Sequence, residues 1–101
     1  MTDLIEEAAR RFALLGEPTR LRILHTLMAE PELTVGEIAR RTGTSRFNAS
    51  AHLARLAAGG LVARRRAGNA IYYRSDDRNL PQICEWVRDS LRSRGRDLAQ
   101  A

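Results

Sequence analysis

Every cationic side chain in this 101-residue sequence apart from its two histidines is an arginine: there are seventeen, with no lysine. Eight of them fall between residues 34 and 75, where Glu37 is the single acid. Residues 1 to 33 hold four arginines and six acids, and residues 76 to 101 hold five of each. The whole net charge of +5 therefore comes from one central stretch. A guanidinium is a planar fork of donors that fits a phosphate or the O6/N7 edge of guanine. A GC-rich coding bias would give the same arginine preference, so the placement carries the argument rather than the residue type. A basic patch confined to one supersecondary unit points to nucleic acid more than to a generally solvated surface.

Other chemistry has little to work with. His25 and His52 lie inside helical patterns beside apolar residues. No glycine-rich phosphate loop, nucleophile elbow or metalloprotease motif occurs, so catalysis is not expected. Cys84 is the one cysteine. It cannot close a bridge within the chain, which suits a reducing compartment and a cytoplasmic protein. Its plain role is that of a small hydrophobe in a helix. A bridge to its own copy across a two-fold axis is the redox alternative.

The elements that must position the arginines follow from spacing. Thr34 and Glu37 stand at capping-box distance, so a helix starts at Thr34 and buries Val35, Ile38 and Ala39. Thr42-Gly43-Thr44 turns the chain. Ser45 then opens a second helix, with Ala49, Leu53 and Leu56 as its buried stripe, ending at Gly59-Gly60. Phe47, Ser50, Ala51 and Ala54 face outward, and Ser45, Arg46 and Asn48 occupy the exposed first turn. Strand-forming segments Leu61 to Arg66 and Ala70 to Ser75 flank Ala67-Gly68-Asn69 as a β-hairpin with Arg64, Arg65 and Arg66 near its tip. This is the order of a winged helix-turn-helix. The fold expected is mainly α with a small β-hairpin, in the order α-α-α-α-β-β-α.

One domain is expected over residues 1–101, with its reading unit at 34–75. A chain this short buries only about two thirds of its unfolded surface. Leu4, Ile5, Ala8 and Phe12 form an apolar stripe in a helix at about 3–15. Ile83, Val87 and Leu91, with Trp86 alongside, form another at about 80–94. The stripes either complete the monomer core or form a two-fold interface. Dimerisation is favoured because one recognition helix reads only half a site.

Gly16-Glu17-Pro18-Thr19-Arg20-Leu21-Arg22-Ile23-Leu24, Ser45 to Leu53, and Gly60-Leu61-Val62 through Arg65-Arg66-Ala67-Gly68 to Tyr72-Tyr73 are three stretches that resemble the ArsR family of bacterial transcriptional repressors. The resemblance spans roughly residues 8 to 76. It implies a homodimer joined through its first and last helices, which leaves an imperfectly palindromic operator when an effector binds. It also implies that His52 supports the recognition helix or touches DNA.

The family's ligand positions do not carry over. Thr34 and Gly36 stand where relatives place thiolates, and neither can bind a soft metal. Asp77, Asn79, Ser90 and Ser93 stand where zinc-sensing relatives place ligands. The expectation is a repressor with no metal or cofactor and an unidentified non-metal effector. Alternatives are a winged-helix protein-interaction module, binding to structured RNA, and a redox-responsive repressor using Cys84. DNA contacts are expected from Ser45, Arg46, Phe47, Asn48, Ser50, Ala51 and Arg55 on the recognition helix, with Arg46 on guanine and Phe47 on a thymine methyl or under the wing. Arg64, Arg65, Arg66 and Asn69 are expected to meet DNA from the wing, the arginines through phosphates. Asn69 replaces the basic residue that many relatives carry after the wing glycine.

Overall fold

The join between the first two helices is built by the Gly16 to Arg20 segment. In the computed structural model, which describes residues 3–95, α1 spans Leu4–Leu15 and α2 spans Pro18–Met28. Gly16 ends α1 by donating its N–H to the Phe12 carbonyl. The Glu17 carboxylate caps α2 by accepting the Arg20 N–H at 2.8 Å, and Pro18 takes the first helical position, where a missing N–H costs nothing. Arg20 then reaches back. Its guanidinium donates to the carbonyls of Leu14 at 2.9 Å and Ala13 at 3.3 Å, satisfying orphan acceptors at the end of α1. It is the one buried charged residue among the described ones.

The helix-turn-helix forms as the spacing predicts. α3 spans Val35–Thr42, and its capping box is closed in both directions between Thr34 and Glu37. Gly43 adopts φ of 70°, the left-handed conformation that a side chain resists, and the chain turns there. α4 spans Arg46–Ala58 and starts from Ser45, whose hydroxyl accepts the Asn48 N–H.

The sheet contains one strand more than the hairpin expected. β1 (Leu33–Thr34) pairs antiparallel with β3 (Ala70–Ser75), which also pairs with β2 (Val62–Ala67), giving the order β1-β3-β2. A two-residue strand has too little alternation to show in sequence. The hairpin turn is also tighter than a three-residue loop, because Ala67 pairs with Ala70 and only Gly68 and Asn69 lie between them. Gly68 has φ of 62°. A glycine at the first central position suits a two-residue turn that matches strand twist.

The core lies where α2, α3, α4 and the sheet meet. Ile23, Leu24 and Leu27 of α2 pack with Ile38, Leu53 and Leu56, and the sheet adds Leu33, Val62 and Tyr73. Truncating one such leucine to alanine costs about 2–5 kcal/mol. The terminal helices contribute little to this core. α1 buries no residue fully, and α5 (Leu80–Arg94) buries only Leu80. The two apolar stripes therefore do not complete the core of one protomer. The molecule is flat, 47 × 42 × 21 Å, with a radius of gyration of 14.7 Å. A compact domain of this length would measure roughly 12–13 Å.

Candidate nucleic-acid interface

The outward face of α4 is set by what its inward face buries. Ala49, Leu53 and Leu56 are fully enclosed, so Arg46, Phe47, Ser50, Ala51, Ala54 and Arg55 stand in solvent with Asn48. Phe47 is 83% exposed and so does not pack under the wing. The Ser45 hydroxyl accepts the Asn48 N–H at the cap and keeps its own proton for donation. The Arg46 guanidinium leans across Gly36 on α3, where no side chain obstructs it. Between Arg46 and Asn69 at the wing tip lies an open hollow of about 460 Å3, whose lining also includes Arg40 and Ile71. Recognition helix and wing thus border one concavity with arginines at its edge.

The wing arginines divide into two kinds. Directly paired residues in an antiparallel ladder share a face, and Arg64 pairs with Tyr73, Arg65 with Tyr72 and Arg66 with Ile71. Arg64 and Arg66 therefore emerge on the side that carries Tyr73 into the core, and Arg65 lies with Tyr72 on the reverse. There Arg65 donates twice to the Glu32 carboxylate, at 2.7 Å from both nitrogens, and its guanidinium carbon sits 4.8 Å from the Tyr72 ring centre. The guanidinium holds the Glu32 carboxyl below the usual carboxylate range. The sequence pattern groups Arg65 with its neighbours as a phosphate contact. The Nε and Nη2 edge of its guanidinium is taken by the Glu32 carboxylate, which ties β2 to the residue before β1. No local sequence signal marks Glu32 as its partner, since 33 residues separate the two and the pairing of β1 with β3 brings them together.

Similar pairing removes other arginines from the free set. Arg41 pairs with Glu30 and Arg74 with Asp76. Among the described residues, Arg40, Arg46, Arg55, Arg64 and Arg66 have no carboxylate within ion-pair distance. These five are exposed on α3, α4 and the wing.

The remaining candidates take structural positions. His52 is half-buried with Nδ1 3.8 Å from the Glu17 carboxylate, and that nitrogen has no hydrogen-bond partner among the described residues. It supports α4 against the start of α2. Thr34 is occupied by its cap, and Asp77 accepts from Arg11 and from the Asn79 N–H. Among the described residues no three His, Cys, Asp or Glu side chains gather as a metal would require, and no helix is long and apolar enough to cross a membrane. Cys84 is half-buried against the core.

The apolar stripes lie open. Leu4, Ile5, Ala8 and Phe12 on α1, and Trp86, Val87 and Leu91 on α5, are exposed, with Trp86 at 71%. Ile83 turns partly inward. Among the described residues, every large hydrophobic side chain so exposed belongs to these two helices, apart from Phe47 and Leu21.

Comparison with known proteins agrees with this geometry. The MarR family model matches residues 17–70, from the cap of α2 to the wing. The HTH-type transcriptional regulator KmtR of Mycobacterium tuberculosis is 36% identical over 72 residues, covering 71% of this chain and 55% of that protein. The chain spans between about half and two thirds of the length of the first curated relatives it matches. The crystal structure of NolR from Sinorhizobium fredii superposes with a TM-score of 0.79 at 33% identity, covering 90% of this chain and 97% of that one. A solution structure from Mycobacterium bovis, the homodimeric winged helix-turn-helix DNA-binding domain Mb0332, described as a possible ArsR-family transcriptional regulator, gives a TM-score of 0.79 at 33% identity. It covers 95% of this chain and 94% of that one.

Proposed function

Because the chain belongs to the winged helix-turn-helix regulators of the ArsR type, we propose that it is a homodimeric, sequence-specific repressor that binds double-stranded DNA. The observation that carries this reading is the set of exposed arginines on α3, α4 and the wing, Arg40, Arg46, Arg55, Arg64 and Arg66, that have no carboxylate partner among the described residues; Arg40 and Arg46 line the hollow beside the wing tip. In this mechanism α4 enters the major groove. Arg46 donates to a guanine edge, Asn48 and Ser50 add hydrogen bonds, and Phe47 meets a thymine methyl. Arg40, Arg55, Arg64 and Arg66 bind phosphates, which set position without reading sequence. Arg65, fixed by Glu32 and Tyr72, holds the wing at the angle its neighbours need.

Dimerisation follows from the exposed faces of α1 and α5. Left in water, Leu4, Phe12, Trp86 and Leu91 would forgo about 1.5–3 kcal/mol each. A second copy covers them and presents a second α4. The Mycobacterium bovis relative is homodimeric, which supports the same assembly here. A repressor is released by an effector that favours the unbound arrangement, and the relatives of this chain include proteins named as repressors.

The test is titration of the duplex upstream of the protein's own gene, in competition with nonspecific duplex and structured RNA, at several salt concentrations. Specific binding about a thousandfold or more above nonspecific binding supports the proposal. Preference for RNA, or for an acidic protein partner, would reject it.

A further inference from the structure

A second concavity lies away from the reading face, between α2, the end of α3 and α5. It is an open groove of about 600 Å3, within the range in which proteins hold small organic ligands. Leu21 and His25 stand one helical turn apart on its α2 wall, and Ile83 and Val87 one turn apart on its α5 wall. Arg22 and Arg88 lie next to Leu21 and Val87 and line the same groove. No carboxylate among the described residues lines it. A third guanidinium, Arg41, is already held by Glu30 at 2.9 Å, whereas Arg22 and Arg88 have no carboxylate partner among the described residues.

Apolar walls with two uncompensated guanidiniums specify the occupant's chemistry. A purely apolar molecule would make no use of the two guanidiniums at the groove's edge, and a small inorganic anion would leave Leu21, Ile83 and Val87 wet. We infer that the groove between α2 and α5 is an effector site for an amphipathic organic monoanion, with an apolar body between the two helices and a carboxylate on Arg22 and Arg88. The site's consequence rests on the proposed DNA-binding role. Arg41 and Thr42, which also line the groove, end α3 directly before the Gly43 turn that aims α4. A ligand here touches the helix that carries the dimer face and the turn that orients the reading helix. It shifts DNA affinity to the extent that it binds the free and bound arrangements unequally.

The experiment titrates the DNA-free protein with decanoate, below its micelle threshold, and separately with decan-1-ol, following the methyl signals of Leu21, Ile83 and Val87 by NMR. Decanoate should saturate and bind about tenfold tighter than the alcohol, the scale of one charge-assisted hydrogen bond. The double variant Arg22→Gln with Arg88→Gln should lose that preference yet still bind the alcohol. Both substituted residues are exposed, so the fold survives their loss. Leu21→Trp should block both ligands. Non-saturating shifts, equal affinity for acid and alcohol, or an unaltered double variant each overturn the site, as does a groove already filled by the second copy. Saturating decanoate should also weaken duplex binding about fivefold or more. Unchanged duplex affinity would overturn the regulatory role alone. Failure of the protein to bind any DNA would instead count against the proposed function, because the ligand titration needs none.

Discussion

Arg46 and Phe47 open the exposed turn of α4, one offering a charged fork and the other an apolar ring. Arg46→Ala should cost about 1–3 kcal/mol on the preferred duplex and blur preference at one base pair. Competition titrations against single-base variants of the site check this, and an equal loss on every sequence would exclude the base contact. Acid sensitivity resides in three carboxylates. Glu17 is held below its ordinary pKa of 4.5 by the Arg20 N–H, Glu32 by the Arg65 guanidinium and Glu37 by the Thr34 N–H. Each stabilises the fold while ionised, so its contribution is complete above 4.5 and declines as pH falls toward the depressed folded value. Denaturant titrations should show stability dropping below about pH 4.5, and Glu32→Gln should make that drop shallower. The outward set of α4 was legible because burial of Ala49, Leu53 and Leu56 fixes the opposite face. Strand alternation sets Arg65 on the face opposite to Arg64 and Arg66, but nothing local marks the distant carboxylate that it meets.

At the scale of elements, the two capped helices could be read from local signals alone. Thr34, Glu37, Gly43 and Ser45 act within a few residues of themselves, and the structure uses each as its spacing suggests. β1 depends on a partner strand far along the chain and so escaped local reading. That strand matters because it anchors the wing through Leu33 opposite Tyr73 and brings Glu32 beneath Arg65. The wing should therefore bind with two arginines, not three. Arg64→Ala and Arg66→Ala should each flatten the dependence of log affinity on log salt by about one unit. Arg65→Ala should change that slope markedly less. Equal slopes for all three variants would return Arg65 to the phosphates.

For the whole molecule, shape and charge support the same account. A flat protomer with open hydrophobic faces on α1 and α5 and free cations on α3, α4 and the wing is suited to join its copy on one surface and a duplex on another. The terminal stripes were visible in sequence, but periodicity could not tell a core face from an interface. Exposure of Leu4, Phe12, Trp86 and Leu91 excludes them from the core of one protomer and supports the proposed interface. Leu91→Glu should convert the dimer to a monomer in light scattering and weaken specific DNA binding with it; a persistent dimer would move the interface elsewhere. Hydroxyl-radical footprinting of the upstream duplex tests the central claim, that paired copies of α4 and the wing read two half-sites. Two protected tracts related by two-fold symmetry and centred about 10 base pairs apart are expected. Uniform protection that does not depend on the sequence of the duplex would contradict it.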